Sequence, residues 1–130
     1  MKLIVKKREL PVCPKGAKRG RCVHAGPAKH KMNLPCEEQI QLTFIVEIGD
    51  QEYPVYRKFC ADLTEGSQLY QFLRDWLQED LSKYVDEDGV VDFDRLYDKE
   101  ADIVVYHHGM QDKPFVGIMS IAPPGALVED

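Results

Sequence analysis

Six apolar residues recur at steps of three and four between Ser67 and Leu81, and this stripe constrains the chain more than any other feature. On a helix spanning that stretch, Leu69, Phe72, Leu73, Trp76, Leu77 and Leu81 share one face, which must be buried against something. The segments ahead of it supply a partner. Gln41 to Ile48 alternates, with Leu42, Phe44, Val46 and Ile48 on one side and Gln41, Thr43 and Glu47 on the other, the period of a half-buried strand. Gly49-Asp50-Gln51-Glu52 then reads as a hairpin connection into a strand from Tyr53 to Cys60. Parity in that strand is ambiguous: Val55 and Phe59 share a side with Arg57, Tyr56 and Cys60 share one with Lys58, and one of the two cations is expected at a strand end or bulge.

Around this centre the chain offers three more strands. Gly16 to Gly26 is a first strand interrupted by glycines, which in small barrels often mark bends. Pro27 to Glu38 has the composition of a loop. Asp86-Glu87-Asp88-Gly89 is a turn, and Asp92 to Tyr97 a single helical turn with Asp92 as its cap and Phe93 and Leu96 inward. Ala101 to His107 forms a fourth strand, His108 to Asp112 its hairpin loop, and Pro114 to Ile121 a fifth. The expected class is therefore mainly β with one helix. Five strands in the order β-β-β-α-β-β, closed on themselves, make an OB-fold barrel with the helix between strands 3 and 4. Residues 1–15 read as an N-terminal arm with a brief edge strand at Leu3 to Val5, residues 16–125 as the domain, and 126–130 as a C-terminal tail.

A chain of 130 residues can bury one core without disulfides or metal. Its net charge of -5 hides a division: residues 1–36 hold ten Lys or Arg against one acid, and 37–130 hold seven against 21. The halves either present a basic surface to an anionic partner and an acidic one elsewhere, or neutralise each other across the fold. The apolar start meets Lys6-Lys7-Arg8 too soon for a secretory segment, and no apolar run is long enough to span a membrane. A cytoplasmic location is expected, in which Cys13, Cys22, Cys36 and Cys60 are thiols.

Enzyme motifs are absent. There is no G-x-S-x-G, no phosphate-cradling glycine loop and no H-E-x-x-H. Neighbours on a strand, His107 and His108 point to opposite faces, one lining the core and the other solvated. With Gly89 at position six of a calcium loop, positions one and twelve would be Tyr84 and Arg95, which cannot ligate as required. Cys13, Cys22, His24, His30 and Cys36 lack the close pairing of a structural zinc site. No cofactor or metal is expected.

Several pieces in order resemble a family of short OB-fold proteins from phages, prophages and some bacterial genomes that are predicted to bind single-stranded DNA. They are Arg21-Cys22-Val23, an "xLTFxxE" strand from Gln41 to Glu47, Arg57-Lys58-Phe59, and "SxLxxxLxxW" in Ser67, Leu69, Leu73 and Trp76. Phe93-Asp94 with Leu96 and Lys99, a strand ending at His107, and Phe115, Ile118, Ile121 and Pro123 complete the set. The chain departs from the family at Leu77-Gln78-Glu79-Asp80, where a glycine with flanking arginines is usual, and at Gly117, where asparagine is common. The resemblance implies a non-enzymatic binder of single-stranded DNA, or RNA, in a phage-like or mobile-element replication or recombination setting, with replication or recombination proteins as further partners.

Such binding needs cations along the phosphates and aromatic faces for the bases. Lys18, Arg19, Arg21, Lys29, Lys31, Arg57 and Lys58 are the candidate cations, with Tyr53 and Tyr56 as stacking platforms. The open face of an OB-fold lies on its second and third strands, which favours Tyr56, Arg57 and Lys58. Against this stands a plain reading, with Tyr56 packed in the barrel and the cations merely solvating it. A different function, a protein-interaction module docking a basic partner on its acidic helix end and the Asp86 to Asp94 turn, is the alternative. Lys18, Arg19, Arg57 and Lys58 gathered on one groove would favour nucleic acid; their scatter would favour the module.

Overall fold

A computed structural model describes residues 12–30, 32–88, 90–110 and 113–129. Five strands form one antiparallel sheet: β1 (Gly16–Pro27), β2 (Gln39–Ile48), β3 (Gln51–Cys60), β4 (Glu100–Met110) and β5 (Lys113–Ala122). Helix α1 (Gln68–Leu77) and two short 3-10 turns, Leu81–Tyr84 and Phe93–Leu96, lie between β3 and β4. The protein is thus mainly β with one α-helix, as the alternation and the stripe require. The strand predicted at Leu3 to Val5 lies outside the described residues.

Sheet order is β3-β2-β1-β4-β5, so β1 is shared between two hairpins. Its first half pairs with β4 and its second with β2, overlapping at Arg21, which faces Ile45 and Glu100, and at Gly20, which faces both Val46 and Ala101. A side chain there would have its Cβ 3.2 Å from that of Phe44, so glycine lets the strands close up where the sheet bends. Extra residues at Val23 in β1 and Met119 in β5 shift the register and twist the sheet further.

The helix is held at both ends by its own sequence. Ser67 accepts a hydrogen bond from the Tyr70 N–H at 3.1 Å, and its hydroxyl donates to the Asp62 carbonyl at 2.7 Å. Gln78, with φ at 55°, turns the chain out through a left-handed cap, so the helix stops at Leu77 instead of running to Leu81. Leu81 is still buried, but from the following 3-10 turn, which Asp80 caps. Leu69, Phe72, Leu73 and Trp76 are buried on the face predicted for them. Phe72 meets Phe59 of β3 at 4.9 Å, Trp76 meets Phe44 edge-on at 5.2 Å, and the Trp76 indole donates to the Glu100 carbonyl at 2.9 Å. Burying side chains of this size contributes roughly 2–3 kcal/mol apiece, which is what fixes α1 across the sheet.

Closure is where expectation and structure part. No backbone pairing joins β3 to β5 among the described residues, so the sheet is open along that seam. The inward parity of β3 explains why. Val55 and Phe59 enter the core, and Arg57, between them, lies on the same side with its guanidinium 4.8 Å from the Phe59 ring and 5.4 Å from the Phe72 ring. One of its N–H groups reaches the Ile118 carbonyl of β5 at 3.5 Å, so a side chain spans the gap that a backbone ladder would close. The parity conflict is resolved by this seam. Neither Arg57 nor Lys58 sits at a bulge, because β2 and β3 pair without interruption from Gln39↔Cys60 to Ile48↔Gln51.

Both ends of the domain are tied down. Cys13 is buried, and its carbonyl lies 2.6 Å from His107 Nε2. Beyond β5 the chain folds back over Asp102, whose Oδ2 accepts from the N–H groups of Gly125, Leu127 and Val128 at 2.8–2.9 Å. Residues 126–128 are therefore docked on the sheet. The cysteines differ from expectation: Cys36 and Cys60 form a disulfide, and only Cys13 and Cys22 are thiols, both buried. No described helix is long and apolar enough to cross a membrane.

Candidate functional site

A groove of about 620 Å³ runs along the open seam, with β3 on one side and the β4–β5 hairpin on the other. Strand parity builds the β4–β5 side. Ile103 and Val105 face the core, so Tyr106 points outward with His108, which is in the strand and not in the loop expected for it. Tyr106 pairs with Gly117 and His108 with Phe115. The rings of Tyr106, His108 and Phe115 form a ladder, with successive centroids 5.2 and 5.3 Å apart and planes 22° from parallel. Gly117 makes room for it, since a Cβ there would stand 2.8 Å from the Tyr106 ring. A larger residue at position 117 would push that ring out of the ladder.

Phe115 ends the ladder at 68% exposure, and Met119 on the same strand is 61% exposed. Isolated apolar residues on a surface are ordinary, but a contiguous set lining a concavity is not. Across the seam Tyr56 is 46% exposed, with the Lys58 ammonium 5.4 Å from its ring centre. The remaining wall is the segment between β1 and β2, which contributes Met32 and Leu34. It is held by the Gln39 side-chain amide, which donates to the Met32 carbonyl and accepts from its N–H, both at 2.8 Å, and by a hydrogen bond from Lys58 to the His30 carbonyl.

The charge of the groove is opposite in sign to that of the chain. Among the described residues Arg57 and Lys58 line it, and no Asp or Glu does. Burial draws the Arg57 guanidinium below its ordinary pKa while Tyr106 nearby works slightly the other way, and the group stays cationic at neutral pH. Among the described residues it has no carboxylate within ion-pair distance, so its charge faces rings and the groove. Compared with known proteins, the chain matches no family model and no curated protein. The likeness to phage-type OB-fold proteins thus rests on the motifs quoted above.

Of the nine residues singled out from the sequence, Tyr56, Arg57 and Lys58 come together in the groove. Tyr53 packs against the core from the inward side of β3. Arg19 and Arg21 lie elsewhere, around a smaller hollow of about 260 Å³ that also contains Glu47 and Glu100. Arg19 pairs with Asp102 at 2.5 Å and Glu100 at 3.5 Å, and Arg21 with Asp98 at 3.1 Å. Lys18 is on β1 opposite Ile103, Lys29 is exposed beyond β1, and neither lines the groove. Lys31 lies outside the described residues. The cations scatter.

Sequence reasoning missed Met32, Leu34, Tyr106, His108, Phe115 and Met119. One signal was present: aromatic and apolar residues occupy the solvent parity of β4 and β5, where polar ones are usual. His107 and His108 do face opposite ways, His107 toward the Cys13 carbonyl and His108 into the ladder. The acidic turns are used locally. Asp86 Oδ1 accepts from the N–H groups of Asp88 and Val90, both at 2.9 Å, and Asp92 from that of Asp94 at 3.2 Å. Among the described residues no cluster of His, Cys, Asp and Glu has the arrangement to hold a metal.

Proposed function

We propose that the protein is a non-enzymatic binder of single-stranded nucleic acid, DNA before RNA, whose bases stack in the seam groove. The reading rests on one observation: in a chain of net charge -5, the described residues of this groove bring exposed rings to both walls with two cations and no carboxylate. Stacked bases contribute roughly 1–3 kcal/mol each and tolerate any sequence, which suits a groove lined by both Phe115 and Tyr56. The fold reading that goes with it is an OB-type barrel closed by the Arg57 side chain in place of a backbone ladder. Supporting it are the pairing of β1 with both β2 and β4 and the position of α1 after β3. The setting, by the motif resemblance, is phage-like or mobile-element replication or recombination in the cytoplasm.

Because two cations line the groove among the described residues, binding should depend on salt modestly. For single strands the slope of log K against log salt is about -0.7 per phosphate contact, or about -1.4 here. Titrating a fluorescent oligo-dT at low and moderate salt checks this. No binding at low salt overturns the proposal, as does binding with a slope so steep that the scattered cations must take part. The second reading, a protein-interaction module, draws on that scatter of Lys18 and Arg19 away from Arg57 and Lys58 and on the exposed acids of the Asp86 to Asp94 turn. A basic peptide that binds at the turn while oligo-dT does not bind at all would select it.

A further inference from the structure

The segment that walls the groove between β1 and β2 is fixed at its far end by a covalent bond that a reductant can open. Cys36 of that segment is joined to Cys60, the last residue of β3, with their Cα atoms 5.8 Å apart. Cys60 has the same strand parity as Tyr56 and Lys58, so the bond stands at the end of the groove's own outward row. Among the described residues the other ties of the segment are those of His30 to Lys58, of Met32 to the Gln39 side chain seven residues on, and of Glu38, whose carbonyl accepts from the Ala61 N–H at 2.9 Å. Between them Leu34 has only a local hydrogen bond from its N–H to the Met32 carbonyl, at 2.9 Å. Leu34 thus sits between the Met32 tie on one side and the disulfide two residues further on, and opening the bond frees one of its two flanks.

We propose that the Cys36–Cys60 pair is a redox control on strand binding: oxidised, it holds the Leu34 wall in place and the groove preformed; reduced, it releases the wall and weakens binding. The inference rests on the groove being the strand-binding surface. The exchange needs a dithiol as co-reactant. Its thiolate attacks one sulfur of the pair, the Cys36–Cys60 bond breaks as a mixed disulfide forms, and the second thiol of the reagent displaces the remaining cysteine. Two electrons and two protons pass to the protein, leaving two thiols there and a cyclic disulfide in the reagent. The other cysteines stay out of this chemistry. Both are buried; burial pushes the Cys22 thiol up to about 11 and raises that of Cys13, so neither offers an attacking thiolate. Cys36 and Cys60 are only half-buried. In a reducing cytoplasm, disulfides that do form are commonly transient or redox-sensing, which fits a control better than a structural bond.

The test compares the untreated chain with the chain held in dithiothreitol, with maleimide capping to count the thiols released. Oligo-dT affinity is expected to fall about tenfold on reduction, the worth of roughly one stacked base or its preorganised wall. Amide hydrogen exchange over residues 33–37 should accelerate at the same time. Cys36→Ser should bind as the reduced chain does and ignore the reductant; if that variant does not fold, reduction of the unmodified chain still makes the comparison. Equal affinity in the two states, or unchanged exchange over 33–37, overturns the proposal. Faster exchange with no oligo-dT binding in either state sinks the strand-binding reading instead, and the redox hold on the wall survives it.

Discussion

Two arginines lie against this sheet, and their surroundings could hardly differ more. Arg19 is matched by carboxylates, with Asp102 at 2.5 Å and fully buried and Glu100 at 3.5 Å. Arg57 is matched by the rings of Phe59 and Phe72 and by one backbone carbonyl at 3.5 Å. The first arrangement has its charge satisfied inside the protein, so Arg19 organises structure by holding Asp102 where it gathers the chain end onto β4. The second leaves a cation at the floor of an open groove, with no carboxylate paired to it among the described residues. A basic residue in the sequence is thus no guide to an anion site until its internal partners are known.

The sharpest way to break this contrast is to remove the partner of the satisfied arginine. Asp102→Ala should cost about 3 kcal/mol in urea unfolding, because it removes the buried carboxylate on Arg19 and leaves three backbone N–H groups without the acceptor that Asp102 now provides. Oligo-dT binding by the folded fraction should be unchanged. Acid offers the same test without mutation. Burial works to raise the Asp102 carboxyl, but Arg19 and the N–H groups of Val128 and Leu127 outweigh it and hold it below the usual carboxylate range. A depressed native pKa adds stability that is complete above the unfolded value, near 3.9, and is lost as pH falls through the native one. The unfolding midpoint should therefore drop below about pH 4 in the wild type, and less so in Asp102→Asn.

On the groove side the expected effects fall on binding. Phe115→Ala and Tyr56→Ala should each weaken oligo-dT by roughly 1–3 kcal/mol, read by fluorescence anisotropy. Their unfolding free energies should move by less than about 1 kcal/mol, because neither ring is buried in the core. Arg57→Met keeps a side chain over Phe59 and Phe72 but removes the charge. It should weaken binding less than loss of a ring and flatten the salt slope by about 0.7, the share of one phosphate contact. Arg21→Gln should do least, within about 0.5 kcal/mol in stability and with no change in binding, since its exposed pair with Asp98 is worth little.

Much of the architecture can be read from period and turn chemistry. The Leu69 to Trp76 face, the β2–β3 hairpin and the inward Leu96 follow from spacing alone. What cannot be read depends on contacts distant in sequence. Extra residues at Val23 and Met119 reset strand parity, and only the second of these brings Ile121 back to the core after Phe115, Gly117 and Met119 face outward. The helix ends early because Gln78 takes up a left-handed cap that glycine or asparagine would have advertised. Half the groove is invisible for a similar reason. Tyr106, His108 and Phe115 become one ladder only when β4 and β5 pair in a particular register, and the partners of Arg19 and Arg57 lie 83 and 61 residues away. Composition misleads on the disulfide, because cysteine spacing carries no record of two loop ends that the fold brings to 5.8 Å.

Amide chemical-shift mapping with unlabelled oligo-dT puts the seam groove to the most direct trial. Perturbations should concentrate at Tyr56 to Lys58, at Tyr106 to His108 and from Phe115 to Met119, and leave Arg19, Arg21 and the Asp102 clasp untouched. Perturbations centred on β1 around Lys18 to Arg21, with the groove silent, would contradict it.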